Sequence, residues 1–154
     1  MIRPLAPADA DACDAIVLTL PYHFGDEGGR AACARAVRTQ DGLVAVEEGQ
    51  VVGFLTLARN DPLSAEITWM AVRADRRRHG VGRKLIQQAA GDLAREGVEF
   101  LCVLTVADSE PEWRETDTYV DTRAFYRALG FVGLRELALE GWDERAVLLV
   151  RPLP

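Results

Sequence analysis

The sequence predicts an α/β (α+β) fold, a mixed and mostly antiparallel sheet of about six or seven strands with about four helices. Three observations carry this expectation. Residues 42–47 and 51–59 are apolar, β-branched runs around Glu48-Gly49-Gln50, the pattern of an antiparallel hairpin. Residues 64–106 read as strand, glycine loop, helix and strand, which implies a right-handed crossover between parallel strands. Residues 131–139 and 145–150 close the chain as two further strands around Glu140-Gly141-Trp142-Asp143.

In chain order, a short first strand precedes two helices. Residues 9–20 place Ala, Ile, Val and Leu at helical spacing, and residues 30–38 are Ala-rich behind Gly28-Gly29. Pro21-Tyr22-His23-Phe24-Gly25 between them reads as a loop. After the hairpin, residues 64–72 alternate as a strand, with Ile67, Trp69 and Ala71 on one face and Glu66, Thr68, Met70 and Val72 on the other. From Val81 the period lengthens: Val81, Leu85, Ile86, Ala89, Ala90 and Leu93 mark one helical face, which Gly97 ends. Residues 100–106 give a buried strand. Residues 107–117 are polar and contain Pro111, so a long loop leads into a helix over 118–129 that Gly130 closes. Thr118 and Asp121 form its capping box, with Asp in place of the usual Glu. No repeat or linker interrupts the chain, and 154 residues suit one domain over 1–154 with a single core.

Composition narrows the class. Hydrophobic residues at 49% and charged residues at 27% are those of a soluble globular protein. No apolar run reaches the roughly 18 residues of a membrane helix, and Met1-Ile2-Arg3-Pro4 lacks the apolar core of a signal peptide, so a cytoplasmic protein without a membrane partner is expected. Cys13, Cys33 and Cys102 show no C-x-x-C spacing, which points to reduced, buried thiols and to no metal site. A net charge of -6 disfavours nucleic acid as a partner, although Arg73, Arg76, Arg77, Arg78, Arg83 and Lys84 concentrate positive charge locally.

The chemistry starts in that cluster. Gly80 and Gly82 fall between a strand and a helix, where missing side chains let a ligand approach the backbone amides. The unpaired N–H groups and positive dipole of a helix start favour a phosphate, and the arginines add charge. The spacing fits neither G-x-x-x-x-G-K-[ST] nor G-x-G-x-x-G, which argues against ATP and NAD.

Arg77-Arg78-His79-Gly80-Val81-Gly82 instead has the form [QR]-x-x-G-x-[GA], and after Met70-Ala71-Val72 it resembles the acetyl-CoA motif of the GNAT N-acetyltransferases. Phe125-Tyr126-Arg127-Ala128-Leu129-Gly130-Phe131 is similar to the second signature of that superfamily, and the order of elements fits over most of the chain. The resemblance implies a sheet splayed between strands 4 and 5, with the thioester entering the gap. It implies that amides of Val81, Gly82 and Arg83, with Arg77, Arg78 and His79 of the same loop, hold the pyrophosphate of acetyl-CoA. Backbone groups of Met70, Ala71 and Val72 would hold the pantetheine arm, and the Met70 amide would stabilise developing negative charge on the acyl oxygen. Tyr119 stands where the superfamily often has Asn. A homodimer is a further expectation of the resemblance.

An amine of pKa about 10.4 is almost wholly protonated at pH 7, so a base is useful. Glu66 is the candidate, because it lies early on the strand leading to Met70 and is expected on the same face; a solvated strand-end charge is the plainer reading. Tyr126 is the candidate acid for the departing thiolate, with a core tyrosine as the alternative. Tyr119, Thr122 and Tyr126 are expected as a polar stripe apart from the apolar Ala124, Phe125, Ala128 and Leu129. His79 is read as a loop residue, and His23 as one that reaches substrate only if Tyr22-His23-Phe24 folds over the cleft. Asp108, Glu110, Glu112, Glu115, Asp117 and Asp121 make the late loop acidic, a solvated face or an attractant for a cationic amine, and Trp113 is placed to wall a substrate pocket. Two functions follow: an enzyme moving an acetyl group to a small-molecule or peptide amine by direct attack, or a non-catalytic acyl-CoA-binding sensor or interaction module.

Overall fold

The computed structural model describes residues 1–109 and 119–154. At the hairpin turn Glu48 and Gly49 take φ of 51° and 75°, a primed-turn geometry whose twist matches its strands, and β2 (Asp41–Glu47) pairs antiparallel with β3 (Gln50–Asp61). β1 (Ile2–Pro4) adds to β2 and β4 (Ser64–Val72) to β3, both antiparallel. The chain crosses through α3 (Val81–Arg95) to β5 (Phe100–Val106), which runs parallel to β4. β7 (Ala146–Pro152) lies between β5 and β6 (Val132–Leu137), giving the order β1-β2-β3-β4-β5-β7-β6. This is the expected fold class: seven mostly antiparallel strands with four α-helices among the described residues.

The two faces of the sheet carry different helices. α1 (Ala10–Leu18) and α2 (Glu27–Thr39) bury Cys13, Ile16, Cys33 and Val37 against Val44, Phe54 and Ala71. α3 and α4 (Val120–Ala128) pack on the opposite face over Leu55, Ile67, Leu101 and Leu149. α2 begins earlier than the Ala-rich run suggests. The Asp26 carboxylate accepts from the amides of Gly28 (3.2 Å) and Gly29 (3.1 Å), and this cap holds two glycines in the first turn. A Cβ on Gly53 of β3 would stand 3.0 Å from Val81 Cγ1, so the bare backbone lets the first turn of α3 sit directly on the sheet. No helix among the described residues is long and apolar enough to cross a membrane.

One irregularity shapes the molecule. Thr56 pairs with Trp69 and Leu57 with Ile67, so Thr68 has no partner on β3 and forms a bulge. The β4–β5 ladder runs only from Ser64↔Phe100 to Ile67↔Val103 and ends at that bulge. β4 then follows β3 to Val72 while β5 follows β7 to Val106, so the two strands diverge and the sheet splays between them. The extra residue adds local twist where pairing stops, which opens the gap.

The bulge overturns the expected strand faces. Strict alternation puts Glu66 with Met70, but one inserted residue reverses the alternation beyond it. Ile67, Met70 and Val72 belong to the α3 side, and Glu66 shares the α1–α2 side with Trp69 and Ala71. The expected faces of α4 are corrected as well. Ala124 and Ala128 are exposed, whereas Arg123 and Tyr126 are buried. The Tyr126 ring packs edge-on to Phe125 and Phe131 at 5.3 Å, and Arg123 Nη1 donates to the Val106 carbonyl (2.9 Å). Two such side chains remove far more surface from water than two alanines. α4 starts at Val120 with Tyr119 as its cap and no side-chain capping bond, while Thr118 of the expected capping box lies outside the described residues.

Candidate active site

The splay opens a cleft of about 1470 Å³, lined by the diverging ends of β4 and β5, the start of α3, one side of α4, the α1–α2 loop and the β6–β7 loop. Pockets for one small ligand are commonly about 300–1,000 Å³, so the cleft is larger than one such ligand needs.

At one end stands the glycine loop. Arg78 and Gly80 take φ of 65° and 81°, and Gly80 caps α3 in the left-handed conformation. A glycine cap offers no side chain to the amides of Val81, Gly82 and Arg83, which have no carbonyl one turn back and therefore face a ligand or water. His79 Nδ1 donates to the Arg77 carbonyl (2.8 Å), so this histidine clasps the loop. Arg73 is committed to Asp75 and Arg76 to Glu47, while Arg78 meets Asp121 only at an exposed 3.2 Å pair. Arg77, Arg78 and Arg83 therefore supply the charge at this end, and all three line the cleft. A Cβ on Gly82 would lie 3.1 Å from Phe125 Cζ and 3.7 Å from Met70 Cε, which shows how closely α4 and β4 approach the loop.

Among the described residues the edge of β4 from Trp69 to Val72 has no strand opposite it on the β5 side, so part of its backbone is available to an extended ligand. Met70, Ala71 and Val72 line the cleft there. Tyr126 also lines it, from the α4 side. Its ring is 4% exposed, and burial pushes its phenol well above the usual range. The side chain is thus a neutral hydroxyl over the whole working range.

The other end is built from the α1–α2 side. Glu66 lines it, and its Oε1 accepts from Asn60 Nδ2 at 3.1 Å. His23 and Phe24 line it too, while Tyr22 stands exposed outside the lining; His23 packs edge-on to Tyr119 at 5.4 Å, and the Tyr119 hydroxyl reaches the His23 carbonyl at 3.5 Å. Tyr119, at the usual Asn position, is thus a bridge between α4 and the α1–α2 loop. Glu140, Asp143 and Glu144 add negative charge from the β6–β7 loop. Sequence reasoning missed that loop, along with Gln40 and Thr68, which line the same end. The signals were a Thr in an apolar strand and a Gln at a helix end. Of the late acidic run, Asp108 lies 3.7 Å from Arg127 and Asp121 pairs with Arg78, while Glu110, Glu112, Glu115, Asp117 and Trp113 lie outside the described residues.

The thiols are not built as nucleophiles. Burial pushes Cys13 and Cys33 up to about 12, and burial with the nearby Glu66 pushes Cys102 up to about 11. An unfolded chain releases thiol protons near pH 8.5 and phenol protons near about 10. Above those values the unfolded state binds fewer protons than the folded one, so their contribution is complete below about pH 8.5 and declines above it. The urea midpoint is expected to fall between pH 8 and pH 10.5, and an equal or higher midpoint at the upper pH refutes this linkage.

Comparison with known proteins agrees with this geometry. The model of the acetyltransferase (GNAT) domain matches residues 38–133. An uncharacterized N-acetyltransferase of Chlorobaculum tepidum is 39% identical over 67 residues, which is 44% of this chain and 43% of that protein's length. The crystal structure of Ard1 from Thermoplasma volcanium superposes with a TM-score of 0.78 at 20% identity, over 100% of this chain and 97% of that one. An aminoglycoside 6'-N-acetyltransferase complexed with coenzyme A gives a TM-score of 0.74 at 17% identity, over 99% and 96%. At these identities the two structures establish a shared fold. With a domain match over more than half its length and a sheet splayed at β4–β5, the chain belongs to the GNAT superfamily of N-acetyltransferases.

Proposed function

We propose that the protein transfers the acetyl group of acetyl-CoA directly to a primary amine, with no covalent enzyme intermediate. The observation that carries this reading is the splay at Thr68, which gathers the free edge of β4, the uncapped start of α3 and the Tyr126 side chain into one cleft. Acetyl-CoA supplies an acyl thioester whose phosphates suit the Val81, Gly82 and Arg83 amides and the Arg77, Arg78 and Arg83 guanidiniums. The Met70 amide on the open edge donates to the acyl oxygen as negative charge gathers there. Tyr126, on the α4 side, gives its proton to the departing sulfur.

The reversed face of Glu66 suits its role better than the expected one. Acid and base stand on opposite sides of the sheet, so the amine enters from the α1–α2 side while the thiol leaves on the α4 side. Glu66, Glu140, Asp143 and Glu144 favour a cationic amine at that end, and Glu66 takes its proton, directly or through one water. Glu66→Gln is expected to lower kcat/KM for the amine about tenfold or more at pH 7. The deficit should shrink as pH nears the amine pKa, where free nucleophile no longer needs a base. A deficit constant with pH removes Glu66 from this role.

The test of the reading is a panel of primary amines screened for thiol release from acetyl-CoA, beside a calorimetric titration with acetyl-CoA. Micromolar binding with amine-dependent thiol release supports enzymatic transfer. Binding without release from any amine supports a non-catalytic acyl-CoA module, and absence of binding at high micromolar concentration rejects both.

A further inference from the structure

Three polar side chains form a chain across the acceptor end. Thr56 on β3 is fully buried (0% exposed), and its hydroxyl lies 2.7 Å from that of Thr68, the bulge residue. The Thr68 hydroxyl donates in turn to Gln40 Oε1, at the junction of α2 and β2. Among the described residues Thr56 Oγ1 meets no other hydrogen-bonding side chain or backbone group. A buried hydroxyl that places its proton on no acceptor is destabilising, so the Thr56 proton must find one. Thr56 therefore donates to Thr68, whose own single proton is left for Gln40. The direction is set from the buried end: Thr56 to Thr68 to the Gln40 carbonyl oxygen. It also settles which end of the Gln40 amide faces Thr68, a choice heavy-atom positions do not make by themselves.

The consequence lies in the cleft. With its oxygen engaged, Gln40 keeps two N–H donors that have no partner among the described residues, and the residue lines the same end as Glu66 and Thr68. We propose that Gln40 determines acceptor specificity: its oriented amino group donates to a carbonyl oxygen carried beside the reacting amine, as in an α-amino amide or the first residue of a peptide. This rests on the acetyl-transfer reading. The ammonium is drawn to the acidic side and the neighbouring carbonyl to the fixed donor, a pairing that a plain alkyl amine cannot complete. Thr68 and Thr56 are positioning residues, since they act through Gln40. The bulge that opens the sheet thus also presents the hydroxyl that orients this amide.

The experiment has two arms. In the first, kcat and KM are measured for matched amines with and without the carboxamide: phenylalaninamide against 2-phenylethylamine, and lysinamide against cadaverine. Because the members of each pair differ in amine pKa, the ratio of kcat/KM is compared between variants, where that difference cancels. Gln40→Leu is expected to reduce the ratio about tenfold, about 1.4 kcal/mol, mainly through KM of the carboxamide member. Thr68→Val, which frees the amide to turn, should reduce it in the same sense but less. A ratio unchanged in Gln40→Leu overturns the proposal. The second arm needs no acceptor. Gln40→Glu keeps an oxygen for Thr68, so its melting temperature in about 0.5 M salt, which screens the added charge, should match that of the wild type. Gln40→Leu should melt about 2–4 °C lower. If Gln40→Glu falls as far as Gln40→Leu, the chain runs the other way and the proposal fails. If no amine of the broad panel is acetylated, the transfer reading fails instead, and the melting arm still decides the direction.

Discussion

Tyr126→Phe is expected to lower kcat about 10²–10³-fold while changing the KM for acetyl-CoA less than about threefold. The ring is held on two sides by Phe125 and Phe131 and is 4% exposed, so removing one oxygen leaves the packing in place. What is lost, in the acid role proposed for Tyr126, is the proton. A thiolate that leaves without a donor carries a full negative charge, and the barrier rises accordingly. Burial keeps this phenol neutral far above neutral pH, so it arrives at each turnover protonated, and no alkaline limb below about pH 10 should belong to it. The glycine loop proposed to hold the phosphates is untouched, which is why the effect should fall on kcat. Steady-state kinetics with acetyl-CoA and any accepted amine reads both constants. An unchanged kcat leaves Tyr126 as a core tyrosine only.

Gly82→Val is expected to raise the KM for acetyl-CoA about 100-fold, which corresponds to about 2.7 kcal/mol of lost binding. The Cβ would stand 3.1 Å from Phe125 Cζ and 3.7 Å from Met70 Cε, and two further methyl groups must displace one of them or lie over the amides of the first turn. Either outcome degrades the site, since α4 carries Tyr126 and β4 carries Met70. Gly82→Ala should show a smaller effect of about tenfold, because a ring edge can shift by a few tenths of an ångström. Gly91 is the control on the same helix. A Cβ there meets only the flexible end of Arg95, at 3.6 Å, and Gly91→Ala should leave the KM intact while stabilising the helix by up to about 1 kcal/mol. Equal effects at Gly82 and Gly91 would falsify a specific role for the loop.

The sequence carried the elements well where local rules hold. Glu48-Gly49 specified a hairpin turn, and the Val81 to Leu93 period specified α3 with its buried face. It was less reliable where one residue changes the sum. An Asp cap at 26 outweighed two poor helix formers, and an aromatic trio outweighed the alanines of α4. The bulge at Thr68 is the sharpest case. A period of two cannot announce where it slips, because the slip is decided by the partner strand's register.

The same division runs through the site. The sequence by itself determined that a helix starts at an uncapped glycine loop among arginines, because glycine conformation and helix-end chemistry are local. It also determined that a Tyr signature follows late in the chain. Only the tertiary structure decided that Glu66 stands across the sheet from Met70, and that Tyr126 is both buried and in the cleft. Residues of the α1–α2 and β6–β7 loops likewise come to line one cleft only in the folded chain. Those relations join residues far apart in sequence through one register shift and the divergence of two strands, and pairing of that kind exists only once the sheet is formed.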